Sequence, residues 1–287
     1  MKAEEKKILE KIGMAMIVSF IIFIFLASIK FKEVSDSFLV LRSLLNPISI
    51  FIGFSCLFGI HVADFFKDLI KGMKKIKIKE LILFFKYVFI YQGIIILTTN
   101  LNAYKDLNVS RFIDLYINIT MILAVLFEEY IFRYIIQGKL MDVCDDYGIL
   151  FMAIVFGFFH YGKYKSGFLF GIVLGIVYIM TENITYTVII HYFLNSTLSL
   201  RIVVFLQNIF MATNVELDGL NNTTGFISLL LGVVLMLVQL LLKGNYIYSF
   251  RQKEKELLKK ILQQIKYLPE LIKTFPLNMV LFFRFFI

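Results

Sequence analysis

The chain is a succession of apolar runs, and nothing else in it constrains the fold as tightly. Windows of about 17–22 residues pick out candidate membrane spans. They are Ile12–Ile29, Leu45–Phe66, Leu81–Leu101, Phe112–Ile136, Gly148–Tyr161, Ser166–Met180, Ile184–Leu206 and Gly225–Leu242. The fifth and sixth are short for a crossing. Hydrophobic residues make up 59% of the 287, with 32 Phe and three Pro. A soluble protein of this length could not hide so much apolar surface. The reading is all-α: a polytopic helical bundle of about eight transmembrane helices, multi-pass in the cell membrane. No Pro/Ser-rich linker or internal repeat divides it. Residues 1–248 read as one membrane core, and 249–287 as a cytoplasmic amphipathic and interfacial tail. The first run lacks a small-x-small cleavage site in a plausible place, so it reads as a retained helix.

The formal net charge of +9 bears on topology. With the N-terminus inside, nineteen Lys and Arg fall on the cytoplasmic side against seven on the other. This positive-inside bias predicts cytoplasmic termini. Six of the lysines lie between Lys67 and Lys79. Attraction to anionic headgroups explains that cluster more simply than nucleic acid, and no nucleic-acid partner is expected. Cys56, in the second run, and Cys144, in a cytoplasmic loop, are too far apart for a disulfide. Neither has neighbours suggesting a nucleophile or zinc.

The tail changes character after Ser249. Phe250–Leu268 is highly charged, with Leu257, Leu258, Ile261, Ile265 and Leu268 at roughly helical spacing, which predicts an amphipathic surface helix. Leu277–Ile287 is apolar but too short to span, and reads as an interfacial anchor or packed strip.

Glu128, Glu129 and Arg133 interrupt the fourth run, each at a cost of roughly 2.5–3.5 kcal/mol at a bilayer centre. Such a cluster either stitches helices together or serves chemistry. Glu129 and Arg133 are four apart, acid first, and can pair on one face. Glu128 is turned about 100° away and stays free for another task. A buried, unpaired carboxylate near a histidine is how a general base for water is built.

Two of the three histidines complete the pattern. Phe156-Gly-Phe-Phe-His160 ends the fifth run, and His191-Tyr-Phe-Leu-Asn195 lies in the seventh, its His and Asn on one helix face. Either motif alone is more simply a packed His or a helix-bonding Asn. Measured along the helices from their cytoplasmic ends, Glu128, His160 and His191 lie roughly 15, 18 and 10 Å deep. They share one layer, as one site requires.

In this order, on separate membrane helices, Glu-Glu-x-x-x-Arg, Phe-x-x-x-His and His-x-x-x-Asn resemble the CAAX protease and bacteriocin-processing family, also called the Abi family. The resemblance implies a glutamate-type intramembrane endopeptidase acting on peptides or on the C-terminal tails of prenylated proteins. It implies that Glu128 and His160 activate water and that His191 and Asn195 stabilise the oxyanion. Glu129, Arg133 and Phe156 would hold the site in shape. The expected partners are a peptide or lipid-modified protein substrate and the lipid bilayer, with room for a membrane partner protein. No cofactor is expected. Nor is a metal: the chain has no His-Glu-x-x-His, although Glu128, His160 and His191 are ligand types. Gly-x-Ser-x-Gly and Gly-x-Gly-Asp are also missing. His61 and Asp64, three apart near the boundary, read as a local pair. Two rival functions use the same residues: a non-catalytic membrane scaffold, and a proton-coupled transporter. The transporter lacks support from an inverted repeat or matched broken helices.

Overall fold

A computed structural model describes residues 3–28, 36–98, 115–143, 148–160, 163–196, 198–211 and 221–267. The Leu277–Ile287 strip and Cys144 lie outside them. Every regular element among the described residues is helical. In chain order these are α1 (Ala3–Ser28), α2 (Asp36–Phe58), α3 (Val62–Gly72), α4 (Ile78–Thr98) and α5 (Leu115–Glu129). A π-helical segment, Tyr130–Gln137, continues α5. Then follow α6 (Gly138–Val143), α7 (Gly148–Phe159), α8 (Tyr164–Thr181), α9 (Ile184–Asn195), α10 (Leu198–Met211), α11 (Asn222–Leu241) and α12 (Asn245–Gln264). A short 3-10 turn, Ile265–Tyr267, ends the described chain.

Among the described residues four stretches are long and apolar enough to cross a membrane: Lys7–Leu26, Ile78–Thr98, Tyr164–Thr181 and Asn222–Leu241. The number rises to six if each of two bent helix pairs is one span. The second and seventh apolar runs are those pairs. Leu44–Phe58 and Ala63–Gly72 meet at 99°, and Ile184–Asn195 meets Leu198–Met211 at 56°. At the first break Gly59 has φ 66°, a left-handed conformation that glycine adopts without a Cβ penalty.

Small residues let the long helices touch. A Cβ on Gly93 or Gly232 would stand 2.5 or 2.6 Å from the side chains of Leu229 or Ile90, so α4 and α11 lie backbone against backbone. Gly171 approaches Ala153 in the same way where α7 meets α8. Close approach of this kind drives association where lipid removes the hydrophobic difference. At the centre, Tyr130, Ile131, Phe132 and Arg133 of the π segment are fully buried. Elements α2, α3, α7, α8 and α9 surround them.

The helix after the membrane core is docked. Phe250, Leu257 and Ile261 of α12 are buried in the main core, while Leu258, Leu262 and Ile265 face outward. Its Glu254 binds Lys86 and Tyr87 of α4 and Gln239 of α11. Lys86 is 3% exposed and bonds Gln239 as well. Hydropathy averaged over the third run does not flag this lysine, because one charge disappears in a mostly apolar window. Glu254→Ala strands Lys86 in the interior, at a cost of about 1–3 kcal/mol. A thermal melt of the variant in detergent should show that loss, and an unchanged midpoint would mean that the pair contributes nothing.

Candidate active site

Helix lengths place the site. Both α7 and α9 have 12 residues, so each is about 18 Å long and stops well short of a bilayer's ~30 Å core. His160 follows the last residue of α7, and Asn195 is the last residue of α9. Each of these short helices delivers a motif residue at its end. The turn joining α8 to α9 is only Glu182-Asn183. Glu182 takes φ 48° there, and the Asn183 side chain accepts from the Thr185 amide at 3.0 Å, capping α9. This turn fixes the start of the helix that carries His191.

His191 is fully buried between the two glutamates. Its Nδ1 stands 2.7 Å from Glu129 Oε1, and its Nε2 stands 3.7 Å from Glu128 Oε2. A carboxylate only accepts, so Nδ1–H donates to Glu129. Nε2 has no hydrogen-bond partner among the described residues. On the other side of Glu129, Arg133 Nε lies 3.4 Å from Oε2, with both side chains fully buried. Arg133 continues the chain by donating to Gln137 Oε1 at 3.2 Å, and Gln137 Nε2 donates to the Gly175 carbonyl at 3.2 Å. Gln137 was invisible to motif reading. Its only sequence signal is an amide directly after the apolar run that ends at Ile136.

Glu128 differs from its neighbour. Its side chain retains 12% exposure, against none for Glu129. It is the less enclosed of the two acids. Both Glu128 and His191 lie within electrostatic reach of His160. The His160 Nδ1 is 2.8 Å from the Phe156 carbonyl, so Nδ1–H donates and Nε2 is left as an acceptor. The side chain of Asn46, on α2, donates to the Phe159 carbonyl at 3.2 Å and pins the end of α7.

Aromatic rings close the walls. Phe156 stacks near His160 with centroids 4.3 Å apart, meets His191 edge-on at 5.8 Å, and lies 5.1 Å from the Arg133 guanidinium carbon. Phe170 presents its edge to His191 at 4.9 Å. Asn195 is exposed at the end of α9, one turn beyond His191. His61 sits apart, exposed at the N-cap of α3. Among the described residues no group of three or more His, Cys, Asp or Glu could hold a metal ion.

Residues 112–197 match the family model described as type II CAAX prenyl endopeptidase Rce1-like. Over that segment the chain is similar to the CAAX protease family. The match contains Glu128, Glu129, Arg133, Phe156, His160, His191 and Asn195, and it spans α5 to α9. No curated protein and no solved structure matches the chain. The matched segment therefore coincides with the part of the fold that carries the two glutamates and the two histidines.

Proposed function

We propose that this protein is a glutamate-type intramembrane endopeptidase that hydrolyses a peptide bond in a membrane-associated peptide or lipid-modified protein tail. The observation that carries the reading is the buried His191 held between Glu128 and Glu129 within a CAAX protease segment. The bundle has eight crossings with both termini cytoplasmic, and the site opens toward the cytoplasmic half of the bilayer. Nineteen basic residues on that side against seven support the orientation.

Two acceptors converge on one water. His160 Nε2 and the Glu128 carboxylate each take one of its protons as a hydrogen bond, which leaves an oxygen lone pair for the scissile carbonyl carbon. As the C–O bond forms, Glu128 receives the water proton and the carbonyl oxygen becomes an oxyanion. With a proton on each ring nitrogen, His191 donates from Nδ1 to Glu129 and from Nε2 to that oxyanion. The Asn195 amide is the second donor. Collapse of the tetrahedral intermediate breaks the C–N bond, and Glu128 returns its proton to the leaving amine. Arg133 pairs with Glu129, and Glu129 in turn orients the His191 ring.

Asn195→Ala removes one oxyanion donor, so turnover should fall by about 10²–10³ with little change in affinity for an uncleavable peptide. A residue that only joins helices would instead lower stability and leave the chemical step intact. Single-turnover kinetics on stably folded Asn195→Ala protein decide the matter: an unchanged chemical step removes Asn195 from the oxyanion site. A scaffold or a transporter would cleave nothing at all.

A further inference from the structure

The helix α3 carries two apolar faces where one would suffice. Phe65, Leu69 and Gly72 are buried, but Phe66 is 61% exposed, Ile70 71% and Met73 37%. The exposed residues follow the spacing i, i+4, i+7 and form one stripe along the helix. Beside that stripe stand Lys67, Lys71, Lys74 and Lys75, all exposed, with Lys77 and Lys79 following. Asp64 is exposed on the same helix, whereas Asp68 is half-buried and accepts from the Tyr130 hydroxyl at 3.5 Å. Glu80 is engaged by the Tyr186 hydroxyl at 2.5 Å. The outward face is apolar and basic together.

A helix of this kind, bent 99° from the preceding span, fits the plane of a bilayer surface. Its apolar stripe enters the acyl boundary and its lysines meet anionic headgroups. A soluble acidic partner would match the lysines but leave Phe66, Ile70 and Met73 without a purpose. An uncharged lipid would take the stripe but leave the lysines without one.

The inward contacts make the position of α3 consequential. Phe65 stacks on Phe127 at 5.0 Å and meets the edge of Tyr130 at 4.7 Å. Those two residues flank Glu128 and Glu129 in the chain. The segment after α3 is tied to the helix that carries His191. Asn183 accepts from the Lys74 amide at 3.0 Å and donates to the Lys74 carbonyl at 3.1 Å, and the Tyr186 hydroxyl accepts from the Lys77 amide at 2.7 Å. The basic strap 62–77 therefore touches both helices whose side chains meet in the buried cluster.

We propose that α3 and the lysines of residues 67–79 form a docking surface for anionic phospholipid, and that its occupation steadies the Glu128–Glu129 and His191 helices against each other. The second half of this statement rests on the peptidase reading of the site; the first does not. Each lysine near an anionic surface strengthens the attraction about fivefold, so the strap responds steeply to leaflet charge.

The chain has no tryptophan, so Ile70→Trp places a single indole on the stripe. The full-length variant is reconstituted in phosphatidylcholine vesicles with or without phosphatidylglycerol, both bearing brominated acyl chains. We expect blue-shifted, bromine-quenched emission, with quenching deepened by phosphatidylglycerol. The deepening should disappear when Lys67, Lys71, Lys74 and Lys75 are all changed to Gln. Unquenched, water-like emission in both lipids would overturn the docking surface, and quenching indifferent to phosphatidylglycerol would overturn its preference for anions. Hydrogen exchange tests the coupling. Phosphatidylglycerol should slow exchange at residues 74–77 and 183–187 in the wild-type protein and not in the four-lysine variant, and equal rates would refute the link to the site. Neither readout requires cleavage, so both remain decisive if the chain proves to have no peptidase activity.

Discussion

Glu128→Gln protein should insert and fold normally and cleave about 10⁴-fold more slowly than wild type, the upper range for loss of a general base. Its fold should survive because Glu128 is not the residue that bonds Arg133. That role belongs to Glu129, 3.4 Å from the guanidinium and 2.7 Å from His191. The glutamine keeps the shape and one acceptor oxygen but cannot take a proton from water. A melting midpoint unchanged from wild type, together with a collapse of single-turnover rate, is the expected pair of results. Near-normal turnover would remove the general-base assignment and hand the task to His160.

The second large effect is structural. Arg133→Ala leaves Glu129 and Gln137 buried without their shared partner, and breaking a buried ion pair costs about 3–5 kcal/mol. His191 still donates to Glu129, which places the expected loss toward the lower end. The double variant Glu129→Gln, Arg133→Gln removes both charges and should recover part of the loss. Thermal melts of Glu129→Gln, Arg133→Gln and the double variant form a closed cycle. Losses that add strictly would mean that the two residues do not interact.

Part of this cluster is legible in the sequence and part is not. Spacing within one helix is local: four residues separate Glu129 from Arg133, and the two stand in contact. It also left Glu128 outside that pair, and Glu128 is the less enclosed acid. Contacts between helices carry no such local signal. The bond from Glu129 to His191 joins residues 62 positions apart, and the pairing of Lys86 with Glu254 joins residues 168 apart. Composition placed the apolar runs but not their bends. Hydropathy sums over a window and is blind to a reversal of direction within it, so the breaks after Phe58 and Asn195 were not visible. Gly59, followed by the polar His61 and Asp64, was the available hint at the first. The π segment Tyr130–Gln137 had no readable signature, since its residues would suit an α-helix equally well.

If the buried glutamate and histidine cluster cuts peptide bonds, its products can be found without knowing the substrate in advance. Membranes from cells expressing wild-type or Glu128→Gln protein can be compared by mass spectrometry after chemical labelling of free N-termini. We expect a set of new N-termini in or beside membrane segments that appears with wild-type protein and is missing with Glu128→Gln. Identical sets of termini from the two, with both proteins present and folded at equal levels, would contradict peptide cleavage by the cluster.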